Sequence, residues 1–439
     1  MSHRLIAALL LTLSCVGSVA LAQAPEPERI RIEGSHRLGQ ALVPAIVDQW
    51  LNDIGYTGNR HVRKGDALLE IHSSRDGEGL VVEIRNTGTA AGMAAIIKGQ
   101  ADLSMSARAP TEGELDDAWQ LGNLRSPTQE WVLGLDGIVA LVPQGNPLSA
   151  LRVEQLRDLA AGKHRDWRSL GGPAAALTLH TLGAGSGTQQ LASSLLLDGA
   201  PLWVRQVPHA NYASLLAAVA ADPGAIALVS LKAPRSGLKA LALGRASGAL
   251  PPDPSSVLTE DYPLQRRVYL HSGTLIPALA RSLAQYAVSQ AGQAVVERSS
   301  FASVGLRLLP ANKRDTMPAE YLSLLGNAER LPVNLRFSTG LDLFDSRSRQ
   351  DVDRLIAFLD EPSHAKRGVV LMSFTQPRPG PHYQSLALSH ERVDYVASEL
   401  RALGIRVVMA RGFGGQMPLV NLASPAAQYR NSRVEVWLR

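Results

Sequence analysis

Apolar residues along this chain keep changing period, from the two-residue alternation of a strand to the three-and-four spacing of a helix, with a small polar turn at each change. Ile30-Arg31-Ile32 alternates, Gly34-Ser35-His36-Arg37 interrupts, and Leu38, Ala41, Leu42, Ala45, Ile46 and Trp50 then share one helical face. The order returns with Leu80 to Arg85, the turn Asn86-Thr87-Gly88-Thr89 and a helix from Ala90 to Lys98, after which Ala101 to Met105 starts a further strand. A third turn, Gly185-Ser186-Gly187-Thr188, opens another apolar helical stretch. Strands alternating with helices of this length predict parallel βαβ units, and so an α/β fold whose ligands sit beyond the carboxyl ends of the strands.

The pattern also divides the chain. Ile138 to Val142 is a continuous aliphatic run, as expected of a buried strand, and Pro143 to Pro147 follows as a turn-rich crossing into a second lobe. That lobe holds a helix at Glu154 to Ala160, the Gly185 turn and a strand at Ala225 to Val229; Tyr262 to Leu270 returns to the first lobe, which ends in helices between Leu275 and Glu297. Two lobes joined by crossing strands form a hinge with a cleft between them. The prolines of residues 309–332 suggest a linker, and residues 333–439 read as a smaller α/β unit with strands near 335–337, 369–372, 406–411 and 433–438 and helices around Val352 to Leu359 and Ser389 to Leu403.

Glycine and hydroxyl residues at a strand-to-helix turn have two readings. A helix N-terminus carries partial positive charge and unpaired N–H groups, so three such turns can converge on one anion. The same residues are also ordinary helix caps, each worth ~1 kcal/mol.

Composition narrows the class. The chain has 439 residues, enough for two or three domains, and its 45% hydrophobic and 19% charged content describes an ordered globular protein. A net charge of +5 is spread out, with no aromatic-interleaved basic stripe, so a nucleic-acid partner is not expected. Met1-Ser2-His3-Arg4, the apolar run to Val19 and Ala20-Leu21-Ala22 read as an export signal over residues 1–22, cleaved before Gln23. Cys15, the single cysteine, falls inside it; acylation there is the alternative to cleavage after Ala22. No nucleophile with a base, dinucleotide fingerprint or histidine pair at metal-ligand spacing appears, so neither an enzyme nor a cofactor is expected.

Residues 29–308 resemble the periplasmic phosphate-binding proteins of bacterial ABC transporters. The resemblance is carried, in order, by Ile32-Glu33-Gly34-Ser35, Gly99 to Ser104, Asp136-Gly137-Ile138-Val139, Asn146-Pro147-Leu148, Trp167 to Gly172, the Gly185 turn and Gly224 to Ala227. It implies a two-lobed binding domain that holds an oxyanion through Ser35, Thr87, Thr89, Asp136, Ser186, Gly187 and Thr188. Two charged positions depart from the family: its arginine before the Gly-Ser-Gly-Thr turn is Leu182, and its proton-accepting acid after the Ala-Asp strand is Arg108. The resemblance therefore implies oxyanion binding with Arg108 supplying the cation, and leaves phosphate against sulfate open.

Residues 333–439 resemble the OmpA-like domain that binds peptidoglycan, through Phe337 to Gly340, Leu388 to Val393, Gly412-Phe413-Gly414, Pro418 and the ending Asn431 to Val436. In that family an aspartate and an arginine grip the cell-wall peptide; Arg392 matches the arginine, and Gln376 stands where the aspartate would be. If Ser389 caps its helix, Arg392 lies in the first turn, where the helix dipole opposes a cation by ~0.3 to 1 kcal/mol, a placement suited to a carboxylate ligand. Pairing with Glu391 or Asp394 on the surface is the other reading.

The expectation is thus an exported, non-enzymatic solute-binding protein of the periplasm. It takes phosphate or a related oxyanion, is held near the cell wall or outer membrane, and delivers to an ABC transporter permease. The alternative is an envelope sensor or structural protein whose lobes recognise another anion or a protein.

Overall fold

The structure, a computed structural model, describes residues 26–183, 186–202, 206–245, 248–310, 317–337, 344–377, 382–419 and 425–439. Gly185 of the third turn, Ser338 to Gly340 and the signal segment lie outside the described residues. The first lobe opens with β1 (Glu28–Gly34), a π-helical turn (Leu38–Leu42), α1 (Val43–Asp53), β2 (Thr57–Lys64), β3 (Leu68–Arg75), β4 (Glu78–Asn86), α2 (Thr89–Ile97), β5 (Leu103–Ser106) and α3 (Glu112–Asp117). The long β6 (Glu130–Pro143) crosses to β7 (Ala150–Arg152), α4 (Val153–Ala160), β8 (Thr178–Leu182), α5 (Gly187–Leu197), β9 (Gln206–His209), α6 (Tyr212–Ala221) and β10 (Ala225–Ser230). Then come β11 (Leu238–Ala240), β12 (Ala242–Arg245), β13 (Gly248–Leu250) and α7 (Pro254–Leu258). The return strand β14 (Gln265–His271) leads to α8 (Ala278–Val288) and α9 (Gln290–Glu297).

The main sheet runs β2-β3-β4-β1-β5-β14-β6-β10-β8-β9, with β11 also on β6. β1 lies parallel between β4 and β5, as the alternating pattern predicts. The β2–β3 hairpin stands outside that pattern, because β2 exposes most of its residues and carries no apolar alternation.

β6 is buried along its whole length. Glu130 to Gly137 pair with β14, whereas Ile138 to Leu141 pair with β10. Leu133 accordingly packs with Ile32, Trp50 and Ile84 in the first core, and Val139 and Leu141 pack with Trp167, Leu179 and Ile226 in the second. One strand thus serves two lobes.

In the first lobe, the side of β6 away from β14 has no neighbouring strand in the sheet order. A buried edge needs its N–H and C=O groups met. Leu135 pairs with Ala302 through both backbone groups, and Gln293 Nε2 donates to Leu133 O at 2.9 Å. The rest is met from the C-terminal unit: Val132 N donates to Gln350 Oε1 at 3.1 Å, and Gln350 Nε2 donates to Glu130 O at 2.8 Å.

That unit comprises α10 (Ala319–Leu325), β15 (Glu329–Leu335), α11 (Ser346–Leu359), β16 (Val369–Phe374), α12 (His382–Ala402), β17 (Val407–Gly412), α13 (Pro425–Asn431) and β18 (Arg433–Leu438). Its sheet runs β15-β18-β16-β17. On one face Val333, Leu371 and Val436 pack with Leu355 of α11 and Val396 of α12; on the other Val370, Phe374 and Trp437 pack with Tyr321 of α10. Residues 309–332, expected as a linker, therefore contribute α10 and the start of β15 to this core.

α12 also corrects an expectation. Ser389 does not cap a helix: it lies well inside α12, donating to Leu386 O at 2.7 Å and accepting from Gly414 N at 2.9 Å. Arg392 is consequently not in a first turn, and the dipole argument for a carboxylate ligand falls away.

The unit docks through alternating charges. Glu260, in the left-handed region at φ +61°, accepts from Arg267 Nε at 2.7 Å and from Arg347 Nη1 at 3.0 Å. Arg267 Nη1 also reaches Asp345 Oδ2 at 2.9 Å, and Arg347 Nε reaches Asp351 Oδ2 at 3.0 Å. Burial alone would raise the Glu260 carboxyl, but Arg267 and Arg347 outweigh it and hold the group well below the usual carboxylate range. Asp345 is likewise lowered against its burial, by Arg267 and Ser348.

A carboxyl depressed in the folded state contributes stability that is complete above its unfolded pKa, about 4, and is lost as pH falls toward the folded value. Thermal stability is therefore expected to fall steeply below about pH 4. Glu260→Gln should cost about 3 to 5 kcal/mol at pH 7 and flatten that acid slope. An unchanged slope in calorimetric melts would remove Glu260 as its source.

Candidate functional site

The first two turns are stitched into one body. Gly34 O accepts from both Thr87 N, at 3.0 Å, and Gly88 N, at 2.8 Å, and Ser35 N donates to Met105 O at 2.8 Å. Gly34 has φ +143°, and a Cβ there would lie 2.1 Å from Met105 O, so only glycine fits. Ser35 is buried by this packing. Thr87 Oγ1 donates to Glu33 Oε1 at 3.0 Å, and Thr89 Oγ1 accepts from Ala107 N at 3.1 Å. Both threonines thus help to fix the rim of the first lobe.

From this rim Arg37, beside the π-helical turn, reaches into the hinge. Its Nε donates to Asp136 Oδ2 at 2.7 Å and its Nη2 to Asp136 Oδ1 at 2.9 Å, a bidentate pair on a carboxylate that is 1% exposed. The guanidinium lies 5.1 Å from the Phe301 ring centre. It also touches the second lobe: a Cβ on Gly187 would stand 2.9 Å from Arg37 Nη1.

Gly187 is the first residue of α5, and Ser186 caps that helix by accepting from Gln189 N at 3.2 Å. Thr188 is buried, with Oγ1 3.5 Å from Tyr212 Oη. The Asp136 carboxylate accepts in addition from Gly137 N at 3.1 Å and has Arg266 Nη2 at 3.6 Å. Burial pushes the Arg266 guanidinium down from its usual value and Asp136 opposes this, yet an arginine stays charged throughout.

Two guanidinium groups therefore share one carboxylate beside a helix N-terminus. The local sum is positive, in a place where low dielectric strengthens any compensating anion. Arg37 was legible only as a turn residue, since its partner lies 99 positions away in sequence.

Arg108, expected to supply the cation, is placed otherwise. Its Nη1 and Nη2 donate to the two Glu114 oxygens, each at 2.7 Å, while Glu114 also closes the Thr111 capping box of α3. That pair raises the Arg108 guanidinium and lowers the Glu114 carboxyl, each against its burial. The charge at the cleft comes from Arg37 and Arg266.

In the C-terminal unit, the Arg392 guanidinium lies 5.1 Å from the Phe337 ring centre, and Gln376 Oε1 accepts from Asn431 Nδ2 at 2.6 Å. Among the described residues no cluster of histidine, cysteine and acidic side chains suits a metal ion, and no helix is long and apolar enough to cross a membrane.

Comparisons bear on the two lobes. A family model described as PBP superfamily domain matches residues 65–291. A possible phosphate binding protein from Planctomyces limnophilus is 18% identical, with 63% of this chain and 93% of that one covered and a TM-score of 0.50. At that identity the likeness shows the fold. An ABC-type phosphate transport receptor from Vibrio cholerae is 18% identical over 63% of this chain and 99% of its own, with a TM-score of 0.49. A putative phosphate ABC transporter substrate-binding protein with bound phosphate from Clostridium perfringens is 19% identical over 63% of this chain and 100% of its own, with a TM-score of 0.42. None of the curated proteins matches.

Arg37→Ala strips two charge-assisted bonds from a buried carboxylate and should lower stability in urea by about 3 kcal/mol. Arg37→Ala combined with Asp136→Asn should recover part of that loss; no recovery would mean that the pair is not the source.

Proposed function

Since the chain belongs to the PBP superfamily, we propose that it is a solute-binding receptor whose lobes close on a tetrahedral oxyanion, phosphate or a close relative, between the first-lobe rim and the start of α5. The observation that carries this is the uncompensated cation beside the α5 N-terminus: Arg37 and Arg266 share Asp136. Arg37 and the first N–H groups of α5 would hold the anion from opposite lobes, with Ser186 and Thr188 at the helix start and Ser35, Thr87 and Thr89 shaping the rim. The solute is supported by the printed description of the similar solved structure from Planctomyces limnophilus, a possible phosphate binding protein, and a transporter permease as partner follows from the resemblance carried by the motif order.

The charge arrangement bears on selectivity. Asp136 is the carboxylate of this group, and both its oxygens are taken by Arg37. With Gly137 N also on Oδ1 and Arg266 Nη2 beside Oδ2, this carboxylate is committed to the two arginines rather than held out for a proton of the ligand, and Arg108, where the resembled family has an acid, cannot accept one. Sulfate and phosphate should bind with affinities within about tenfold, a difference of ~1.4 kcal/mol.

Titration calorimetry on the full chain checks this. Binding of both anions is expected, with Arg37→Ala weakening each by about 1.5 to 3 kcal/mol. Absence of binding in the millimolar range, or an unchanged affinity in Arg37→Ala, would sink the reading.

The C-terminal unit fits an OmpA-like module that keeps the receptor near the cell wall, supported by its motif order and by a sheet backed by two long helices. Its grip would rest on Arg392, since Gln376 is engaged by Asn431. Purified peptidoglycan should retain the native chain and release Arg392→Ala; equal recovery of both would point to a structural role for the unit.

A further inference from the structure

The sheet of the first lobe has two faces, and one of them is covered by helix only in part. Ile32 of β1, Ile71 of β3 and Val82 and Ile84 of β4 point into the first core, so the two-residue period turns Arg29, Arg31, Glu70, Glu83 and Arg85 to the opposite side. β2 brings Arg60 and Lys64 to that side, in register with His72 and Leu68 of β3. α2 packs against β5 and the Glu33–Gly34 end of β1. Beyond it the face is open: the side chains of Arg29, Arg31, Lys64 and Arg85 are 44 to 57% exposed.

A water-facing sheet surface ordinarily mixes both signs of charge; here the signs are sorted by depth. Glu70, Glu83 and Asp102 are 4, 8 and 9% exposed, and Glu70 stands directly opposite Glu83, a like-charge pairing that destabilises a sheet unless cations answer it. Lys64 Nζ donates to Glu70 Oε1 at 2.6 Å, Arg29 Nη1 to Glu83 Oε1 at 2.7 Å, Arg85 Nη2 to Glu83 Oε2 at 3.1 Å and Arg31 Nη2 to Asp102 Oδ1 at 3.1 Å. Each cation is thereby held over its carboxylate with N–H donors to spare. Arg60, exposed on the edge strand, has no such partner among the described residues. Carboxylates form the floor and cations the outer layer; Glu33, at the border with α2, accepts from Thr87.

The shape of the layer narrows the partner. Four strands make a face about 14 Å across, and its cations are spread over β1, β2 and β4 rather than gathered round one point. The large apolar residues that stand exposed, Trp119 and Leu275 foremost, all lie off these strands. A specific protein interface needs an apolar centre, whereas a bilayer of anionic lipids attracts by charge alone. We propose that this face seats the chain on an anionic lipid surface, its arginines and lysine donating to headgroup phosphates, in a role separate from solute binding in the cleft.

The test uses the full chain with vesicles of phosphatidylcholine, with and without about one-third phosphatidylglycerol. Co-sedimentation is expected with the anionic vesicles alone, and is expected to vanish near molar salt, where charges are screened within about 3 Å. Arg60→Glu breaks no bond, is expected to fold, and should weaken vesicle binding at least about fivefold. Glu83→Gln takes a charge out of the floor and should strengthen it by roughly the same factor; a face that is merely solvated gives neither change. Both variants should leave the phosphate titration as it is, and Arg37→Ala should leave vesicle binding as it is, so failure here and failure of the interlobe reading are separable.

Glycerol phosphate at millimolar concentration should not displace the vesicles, because a single headgroup meets one cation and not the layer. Displacement by it, equal binding to pure phosphatidylcholine, or an unchanged affinity in Arg60→Glu would overturn the proposal. Tighter binding to polyglutamate than to the anionic vesicles would overturn it as well, by giving the face to an acidic protein.

Discussion

A strand that belongs to two lobes cannot be a good edge and a good interior at once. β6 is interior at Leu141, which pairs with β10 and β11 at once, but over Glu130 to Leu135 one side of its backbone has no strand beside it. Every group there is nonetheless buried, and an unmet backbone donor or acceptor in that setting is costly. The chain meets the demand piecemeal, with Ala302, Gln293 and Gln350. The last of these comes from the C-terminal unit, so completing the hinge strand and docking the unit are the same event.

The same strand dictates the electrostatics of the cleft. Asp136 is forced into the interior by its position in β6, and a buried carboxylate persists only when paired. Its partner across β14 is Arg266, in register opposite it, and its stronger partner is Arg37 from the first turn. Two cations answer one anion because each comes from a different element, and the excess falls beside the start of α5. An anion there would complete the balance that folding leaves open. On the far side of the strands the alternating chain from Arg354 through Asp351, Arg347, Glu260 and Arg267 to Asp345 closes evenly, so the imbalance is local.

Much of this architecture was written in periodicity, because apolar runs such as Ile138 to Val142 and the helical face from Leu38 to Trp50 depend on near neighbours. The β2–β3 hairpin was not, since Thr57 to Lys64 is a mostly exposed strand held by cross-strand bonds rather than by a buried face. Ser389 misled for a related reason: Leu-Ser within a long helix looks locally like a helix start, and its real role, to meet Gly414 N, lies 25 residues away. At the cleft the turns were legible through glycine, whereas the charge exchange was not. Arg108 and Arg37 are both arginines near candidate turns, and only the folded chain shows Glu114 six residues from one and Asp136 ninety-nine from the other.

The docking of α11 beside β6 also decides where a load would act. A body whose two halves swing about crossing strands has an axle, and the axle moves least. A unit fastened to the loop at Thr259 to Asp261 and to the first residues of β6 grips the molecule there. Were the C-terminal unit held still, as the proposed anchoring requires, the pull would fall on a stationary point and would leave both halves free to open and close without dragging the tether with them.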